Sequence, residues 1–295
     1  MSDLLEQTLT DELPKLPQRE AESHKNDYGR ALLIGGSTGL SGAITMSGLA
    51  ALRGGAGLVQ LGVPRAVQPI VAGYEPSYMV LGLPDDNEGR LSLAALGKIR
   101  ELAESATALA IGPGIGRSSE LVELVASLYQ RVAQPMVIDA DGLNALAAQP
   151  EILSQPAGPR ILTPHPGEFA RLVQDKDLTT DQQRRRAVEL ALKCGVVIVL
   201  KGHQTLVTDG RRSGLNQTGN PGMATGGTGD VLTGLITALL CQNLPPWEAA
   251  RLAAHLHGLA GDHAADEVGQ VSLIATDLID YLPDAVQESS LKLAD

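Results

Sequence analysis

Apolar runs of strand length alternate with helix-like segments along most of the chain. Residues 30–36, 56–63, 78–83, 106–114, 135–142, 160–165 and 196–202 read as strands. These runs are nearly continuous rather than alternating, as in parallel strands whose two faces are both covered by helices. Between them, residues 42–52, 92–103, 119–131 and 180–194 carry helical patterning. The repetition of strand and helix predicts an α/β fold with a doubly wound, mostly parallel central sheet flanked by helices. After residue 202 the pattern changes. "QTLVTDGRRSGLNQ" predicts a hairpin turning at Asp209-Gly210, followed by helices over 227–240, 246–267 and 275–282. No linker or low-complexity tract divides the chain, so residues 26–295 read as one domain and residues 1–25 as a polar leader packed outside it or used in an oligomer contact.

Length and composition agree with this picture. A chain of 295 residues with 43% hydrophobic residues can bury a large core. Aromatic residues are only 2%, so the core must be built from Ala, Leu, Val and Ile. No apolar run reaches the roughly 18–20 residues of a spanning helix. The acidic, polar start predicts no secretory signal. With the two cysteines, Cys194 and Cys241, in apolar surroundings, the expectation is a cytoplasmic protein with buried free thiols and no membrane partner. A net charge of −11 without a basic cluster argues against nucleic acid as a partner.

In open α/β sheets ligands bind beyond the carboxyl ends of the strands. Here those ends carry "GGSTGLSGA", "GPGIGR", "DADGLN", "TPHPGEF" and "KGHQT", and the last helical region opens with "GGTGD". Such a concentration along one edge predicts a nucleotide-sized ligand. Neither a G-x-G-x-x-G fingerprint nor a phosphate-binding loop ending in Gly-Lys-Ser/Thr is present. Gly226, Gly227, Thr228 and Gly229 would instead form an anion hole at a helix N-terminus, where free N–H groups and the helix dipole favour negative charge. Asp230 stands beside it. An acidic residue in a first helical turn is favourable by itself. As a functional group it would take a proton from a hydroxyl while the loop holds a phosphoryl group, the pairing needed for phosphoryl transfer to an alcohol.

The stretches "HKNDYGRALLIGGSTGLSGA", "GPGIGR", "LTPHPGEFARL", "VLKGHQTLV" and "GNPGMATGGTGDVLTGLI" together resemble the ADP-dependent NAD(P)HX dehydratases, which repair hydrated nicotinamide nucleotides on a ribokinase-like fold. The resemblance runs from about His24 to Leu282. "GGTGD" alone would also suit other ribokinase-like kinases. The resemblance implies ADP-dependent dehydration of NADHX and NADPHX to NADH and NADPH, giving AMP and phosphate. It implies Asp230 as the catalytic base and as a contact to the hydrate. Lys201, Gly202, His203, Gln204, Thr205 and Gly229 would bind ADP or AMP. Ala43, Gly116 and His165 would line the hydrated dinucleotide. It further implies Mg2+ arriving with the nucleotide, a homotetramer, and a separate epimerase, since the pattern begins too early to leave room for the epimerase unit often fused ahead of it.

Each of these positions also has a plainer explanation. Ala43 and Gly116 suit close packing or a turn, and Lys201 or His203 a solvated strand end. Among Asp139, Asp141 and Asn144, capping accounts for at least one. His255, His257, His263 and Asp262 read as ordinary helix packing, and no protein metal site is expected. A ribokinase-like kinase for a vitamin-precursor alcohol, and a non-catalytic adenine-nucleotide sensor, remain the alternatives.

Overall fold

A computed structural model describes residues 4–291. The strands are β1 (Arg30–Ile34), β2 (Leu58–Pro64), β3 (Met79–Leu83), β4 (Ala108–Ile111), β5 (Met136–Ile138), β6 (Arg160–Leu162), β7 (Val197–Leu200), β8 (Leu206–Thr208) and β9 (Ser213–Leu215). The α-helices are α1 (Leu4–Thr8), α2 (Ser41–Arg53), α3 (Gln68–Ala72), α4 (Leu96–Ser105), α5 (Ser119–Arg131), α6 (Ala140–Ala147), α7 (Pro166–Leu172), α8 (Thr180–Cys194), α9 (Thr228–Cys241), α10 (Pro246–Val268) and α11 (Ala275–Leu291).

The strands form one sheet in the order β3-β2-β1-β4-β5-β6-β7-β8-β9. Pairing is parallel from β3 to β7 and antiparallel from β7 through β9. The strand order reverses between β1 and β4, the position where doubly wound sheets open a crevice. Side chains of successive strand residues point to opposite faces, and both faces are apolar. Ala31 and Leu33 of β1 join a core with α2, α3, α9, α10 and α11, while Leu32 and Ile34 join one with α4 to α8. Val137 of β5 and Val197 and Val199 of β7 face the first layer, and Met136, Ile138, Ile198 and Leu200 the second. This two-sided burial explains why the strands read as continuous apolar runs.

The expected helices over 119–131 and 180–194 coincide with α5 and α8. Thr179 and Gln182 form a capping box before α8, and Gly195 closes it in the left-handed conformation at φ +66°. The hairpin is closed by the Asp209 N–H donating to the Arg212 carbonyl at 3.1 Å, which puts Gly210 and Arg211 at its corner rather than Asp209-Gly210. The last helix does not stop before Pro283 as expected but continues through it. Its buried side chains Leu278, Leu282 and Ala285 recur at helical spacing on the core side, and that packing outweighs the amide hydrogen bond that proline cannot make. The segment ahead of β1 lies along the sheet edge. Thr8 is buried with its hydroxyl 2.8 Å from that of Ser213, Leu9 bridges to Ser213, and Leu13 and Leu16 pack on the core. Both cysteines are buried and free. Among the described residues no helix is long and apolar enough to cross a membrane.

Candidate active site at the carboxyl ends of β5 to β7

α9 begins where the glycine loop ends. Gly227 occupies its cap position at φ +98°, where a side chain would be strained and would also meet Met46, and it supplies no side-chain cap. The first-turn amides are therefore left for an incoming acceptor. The loop is held from behind. The Thr228 hydroxyl donates to the carbonyls of Met223 and Thr225 at 3.1 and 3.2 Å. Asp262 of α10 accepts from the Gly219 amide at 2.8 Å and from the Asn220 side chain at 3.0 Å. His257, also on α10, reaches the Thr228 carbonyl through Nε2 at 2.8 Å. Burial pushes the His257 imidazole down to about 4, so it is neutral.

Beneath the loop lies a charged cluster from three strand ends. Asp139, which follows β5, is 1% exposed. Its Oδ1 accepts from the Thr163 hydroxyl at 2.7 Å and from Lys201 Nζ at 2.8 Å, and its Oδ2 from the Thr233 hydroxyl of α9 at 2.9 Å. Asp139 stands at the cap position of α6 but makes no capping bond; its side chain turns inward. The next residue, Ala140, takes a left-handed φ of +47°, a strain of about 1 kcal/mol for a residue with a Cβ. Lys201 Nζ also lies 3.9 Å from Glu168 Oε2. Burial by itself would push the Lys201 ammonium down, but Asp139 and Glu168 outweigh it and hold it above the usual lysine range. A Cβ added to Gly229 would stand 3.1 Å from Lys201 Nζ and 3.8 Å from Asp139 Oδ2, so the ammonium sits directly under the glycine loop.

Asp230 follows Gly229 in the first turn of α9. Burial pushes its pKa up to about 7, and the charge of Asp139 adds to this while Lys201 opposes it. Such a group exchanges protons near neutrality, the property a general base needs. Its backbone is fixed by α2, since the Ser47 hydroxyl donates to the Asp230 carbonyl at 2.8 Å.

The remaining expected positions surround this centre. Ala43 lies one turn before Ser47, and its carbonyl accepts from the same hydroxyl at 3.2 Å. The Gly116 amide donates to Asp141 Oδ2 at 3.2 Å, and Asp141 also accepts from Arg117 and Asn144. Asn144 in turn accepts from Arg171 at 2.8 Å, so Asp141 and Asn144 brace the loops after β4 and β6. His165 caps α7: its Nδ1 accepts from the Gly167 and Glu168 amides, and Glu168 accepts from the His165 amide in return. Burial lowers its pKa, and Lys201 and Arg171 add to this against Glu168. Its half-exposed ring places Nε2 3.4 Å from Glu168 Oε1.

The "KGHQT" stretch is a turn in which the Thr205 hydroxyl donates to the Gly202 carbonyl at 3.1 Å, and Arg184 holds the His203 and Gln204 carbonyls. His203 is exposed. Sequence reasoning did not identify Asp139 as the hub, nor Thr163 and Thr233 as its partners, nor His257 and Asp262 as supports of the glycine loop. The strand-end "DADGLN" was a signal for Asp139; the others had none, because each acts across a long stretch of chain. Among the described residues no group of three or more His, Cys, Asp or Glu is arranged to hold a metal ion.

The family described as NAD(P)H-hydrate dehydratase matches this chain over residues 31–284. The bifunctional NAD(P)H-hydrate repair enzyme Nnr of Moorella thermoacetica is 48% identical over 272 residues, covering 91% of this chain and 51% of that protein. The chain thus spans about half the length of the curated relatives it matches. The ADP/ATP-dependent NAD(P)H-hydrate dehydratase of Bacillus subtilis, co-crystallized with ATP/Mg2+, superposes with a TM-score of 0.81 at 35% identity, covering 93% of this chain and 95% of that one. A ribokinase-like superfamily protein of Enterococcus faecalis superposes with a TM-score of 0.78 at 29% identity over 98% of this chain and 94% of its own.

Proposed function

The chain belongs to the NAD(P)H-hydrate dehydratase family, and we propose that it restores NADH and NADPH from their 6S hydrates, NADHX and NADPHX, at the expense of ADP. The observation that carries this reading is the Asp230 carboxyl, poised at a pKa of about 7 next to the open N-terminus of α9 and the Lys201 ammonium. A kinase-like site with a base of that strength suits phosphorylation of a weakly acidic alcohol.

Asp230 takes the proton of the hydroxyl at C6 of the hydrated ring as that oxygen attacks the β-phosphorus of ADP. The bond from the β-phosphorus to the bridging oxygen breaks and AMP leaves. The amides of Gly226, Gly227, Thr228 and Gly229, with Lys201, balance the charge spread over the transferring phosphoryl group. Phosphate is a far better leaving group than hydroxide. The ring nitrogen's lone pair expels it from C6, and loss of a proton from C5 completes the reduced nicotinamide. Gly202 to Thr205 would carry the adenine nucleotide. Ala43, Gly116, His165 and Asp230 would line the dinucleotide.

Mg2+ fits this site as a companion of the nucleotide. Asp139, Asp141, Glu168 and Asp230 place more negative charge here than Lys201 offsets, and the available donors are hard oxygens. Bound with the phosphates, the ion would neutralise charge on them; Asp139 is already committed to Lys201, Thr163 and Thr233.

The same proposal includes a homotetramer, supported by exposed Ile70 of α3, Tyr74 just after it and Met79 of the edge strand β3. It also includes a functional link to an epimerase that would convert the other hydrate epimer, supported by the bifunctional naming of relatives. A cytoplasmic setting is supported by the free buried thiols. The deciding experiment follows absorbance of the reduced nicotinamide band in a mixture of protein, acid-generated NADHX, Mg2+ and either ADP or ATP. Recovery of NADH with release of AMP is expected with ADP. No recovery with either nucleotide, from protein that binds ADP, would overturn the dehydratase reading in favour of a small-molecule kinase.

A further inference from the structure

His257 has no part in the steps above, yet its ring reaches the anion loop. Nε2 lies 2.8 Å from the Thr228 carbonyl oxygen. A carbonyl oxygen only accepts, so Nε2 carries the proton and the ring donates. The Thr228 carbonyl and the Gly229 N–H belong to one planar peptide unit. A hydrogen bond drawing density onto the oxygen makes the N–H at the other end of that unit a stronger donor. Gly229 is the second residue of α9, so its amide has no carbonyl one turn earlier within the helix. It is also the residue that faces Lys201 and Asp139.

We infer that His257 is a positioning residue of the proposed phosphoryl transfer: through the Thr228 carbonyl it orients and polarises the Gly229 amide that meets the transferring phosphate. The inference rests on the function proposed above. The rest of the loop is held without this ring. Thr228 is tied by its own hydroxyl to Met223 and Thr225, and Asp262 and the Gly261 carbonyl hold Gly219 and Asn220. Removing the ring therefore acts on one peptide unit rather than on the loop as a whole.

The test compares wild type with H257L, which keeps bulk but cannot donate, and H257Q, whose terminal amide can still donate. The measurements are kcat and KM for ADP in NADHX-dependent AMP release, the affinity for inorganic phosphate by calorimetry, and Tm. In H257L kcat falls about tenfold, a fraction of the loss from deleting an oxyanion donor outright. Its KM for ADP stays near that of wild type, its phosphate affinity weakens, and H257Q recovers most of both losses. Wild-type kcat in H257L, or equal losses in H257L and H257Q that track Tm, would overturn the inference. Should H257L fail to fold, H257N, too short to reach the carbonyl, takes its place. If wild type itself does not turn over NADHX, the functional reading fails separately; equal phosphate affinity in wild type and H257L then overturns the role of His257 by itself.

Discussion

The ammonium of Lys201 stands 2.8 Å from Oδ1 of Asp139, a carboxylate whose second oxygen is held at 2.9 Å by Thr233 of α9. The ion pair thus joins the end of β7 to the helix that carries the proposed anion hole. Lys201 cannot swing toward solvent or toward Asp230 without leaving Asp139 buried and unpaired, which is costly.

Asp139→Asn removes that constraint. The amide keeps the shape but no longer offsets the ammonium, and Lys201 loses its fixed place under Gly229. The expected result is a fall in kcat of about 100-fold, the scale of losing one preorganised electrostatic contact. The acid limb of the pH–rate profile should also move to lower pH, because the Asp139 charge is one of the causes that raise the Asp230 pKa. Steady-state kinetics across pH check both. An unshifted acid limb would mean that Asp139 does not face Asp230 electrostatically.

Asp230→Asn should abolish most turnover while ADP still binds, a loss of about 10²- to 10⁴-fold for a general base. The same change should raise stability at neutral pH. A carboxyl whose folded pKa is about 7 is protonated in both states at low pH. As pH rises from about 4 to 7, the unfolded chain gives up this proton and the folded chain keeps it, so wild type loses stability over that window. Thermal melts at pH 4 and pH 8 test this: the two proteins should melt alike at the lower pH, and the variant higher at the upper one. In wild type with activity intact, kcat should rise with pH through about 7 as the base becomes deprotonated.

Gly234→Ala probes the contact that aligns the site. A methyl group there would run into the Ser47 carbonyl, and Ala50 stands next to it at 3.0 Å. α2 would have to withdraw from α9, taking with it the Ser47 hydroxyl that holds the Asp230 carbonyl. Overpacking of this kind costs about 1–3 kcal/mol. A lowered Tm together with a lowered kcat is expected from melting curves and kinetics on the same preparation. Full activity with a lowered Tm would separate the helix contact from the placement of Asp230.

The positions of the strands, the bounds of α5 and α8 and the glycine loop ahead of α9 were legible in the residues alone. These features rest on neighbours within a few positions: a run of branched apolar side chains, a capping box, a glycine with positive φ. A carboxylate behind a glycine loop was likewise a local pattern, and Asp230 lies in the first turn of α9. "DADGLN" marked Asp139 as a strand-end carboxylate, but its partners, and the contact of His257 with Thr228, had no local expression. The bond from Thr233 to Asp139 spans 94 residues and that from Lys201 to Asp139 spans 62. His165 and Glu168 meet locally in the cap of α7, but only the approach of α7 to β7 puts Lys201 beside Glu168. Pro283 shows the same division: by itself it ends a helix, and the packed face of Leu278, Leu282 and Ala285 carries the helix past it. Secondary structure follows from short-range sterics and hydrogen bonding. The pairing of buried charges follows from which strand ends the sheet order brings side by side, and only the folded chain decides that.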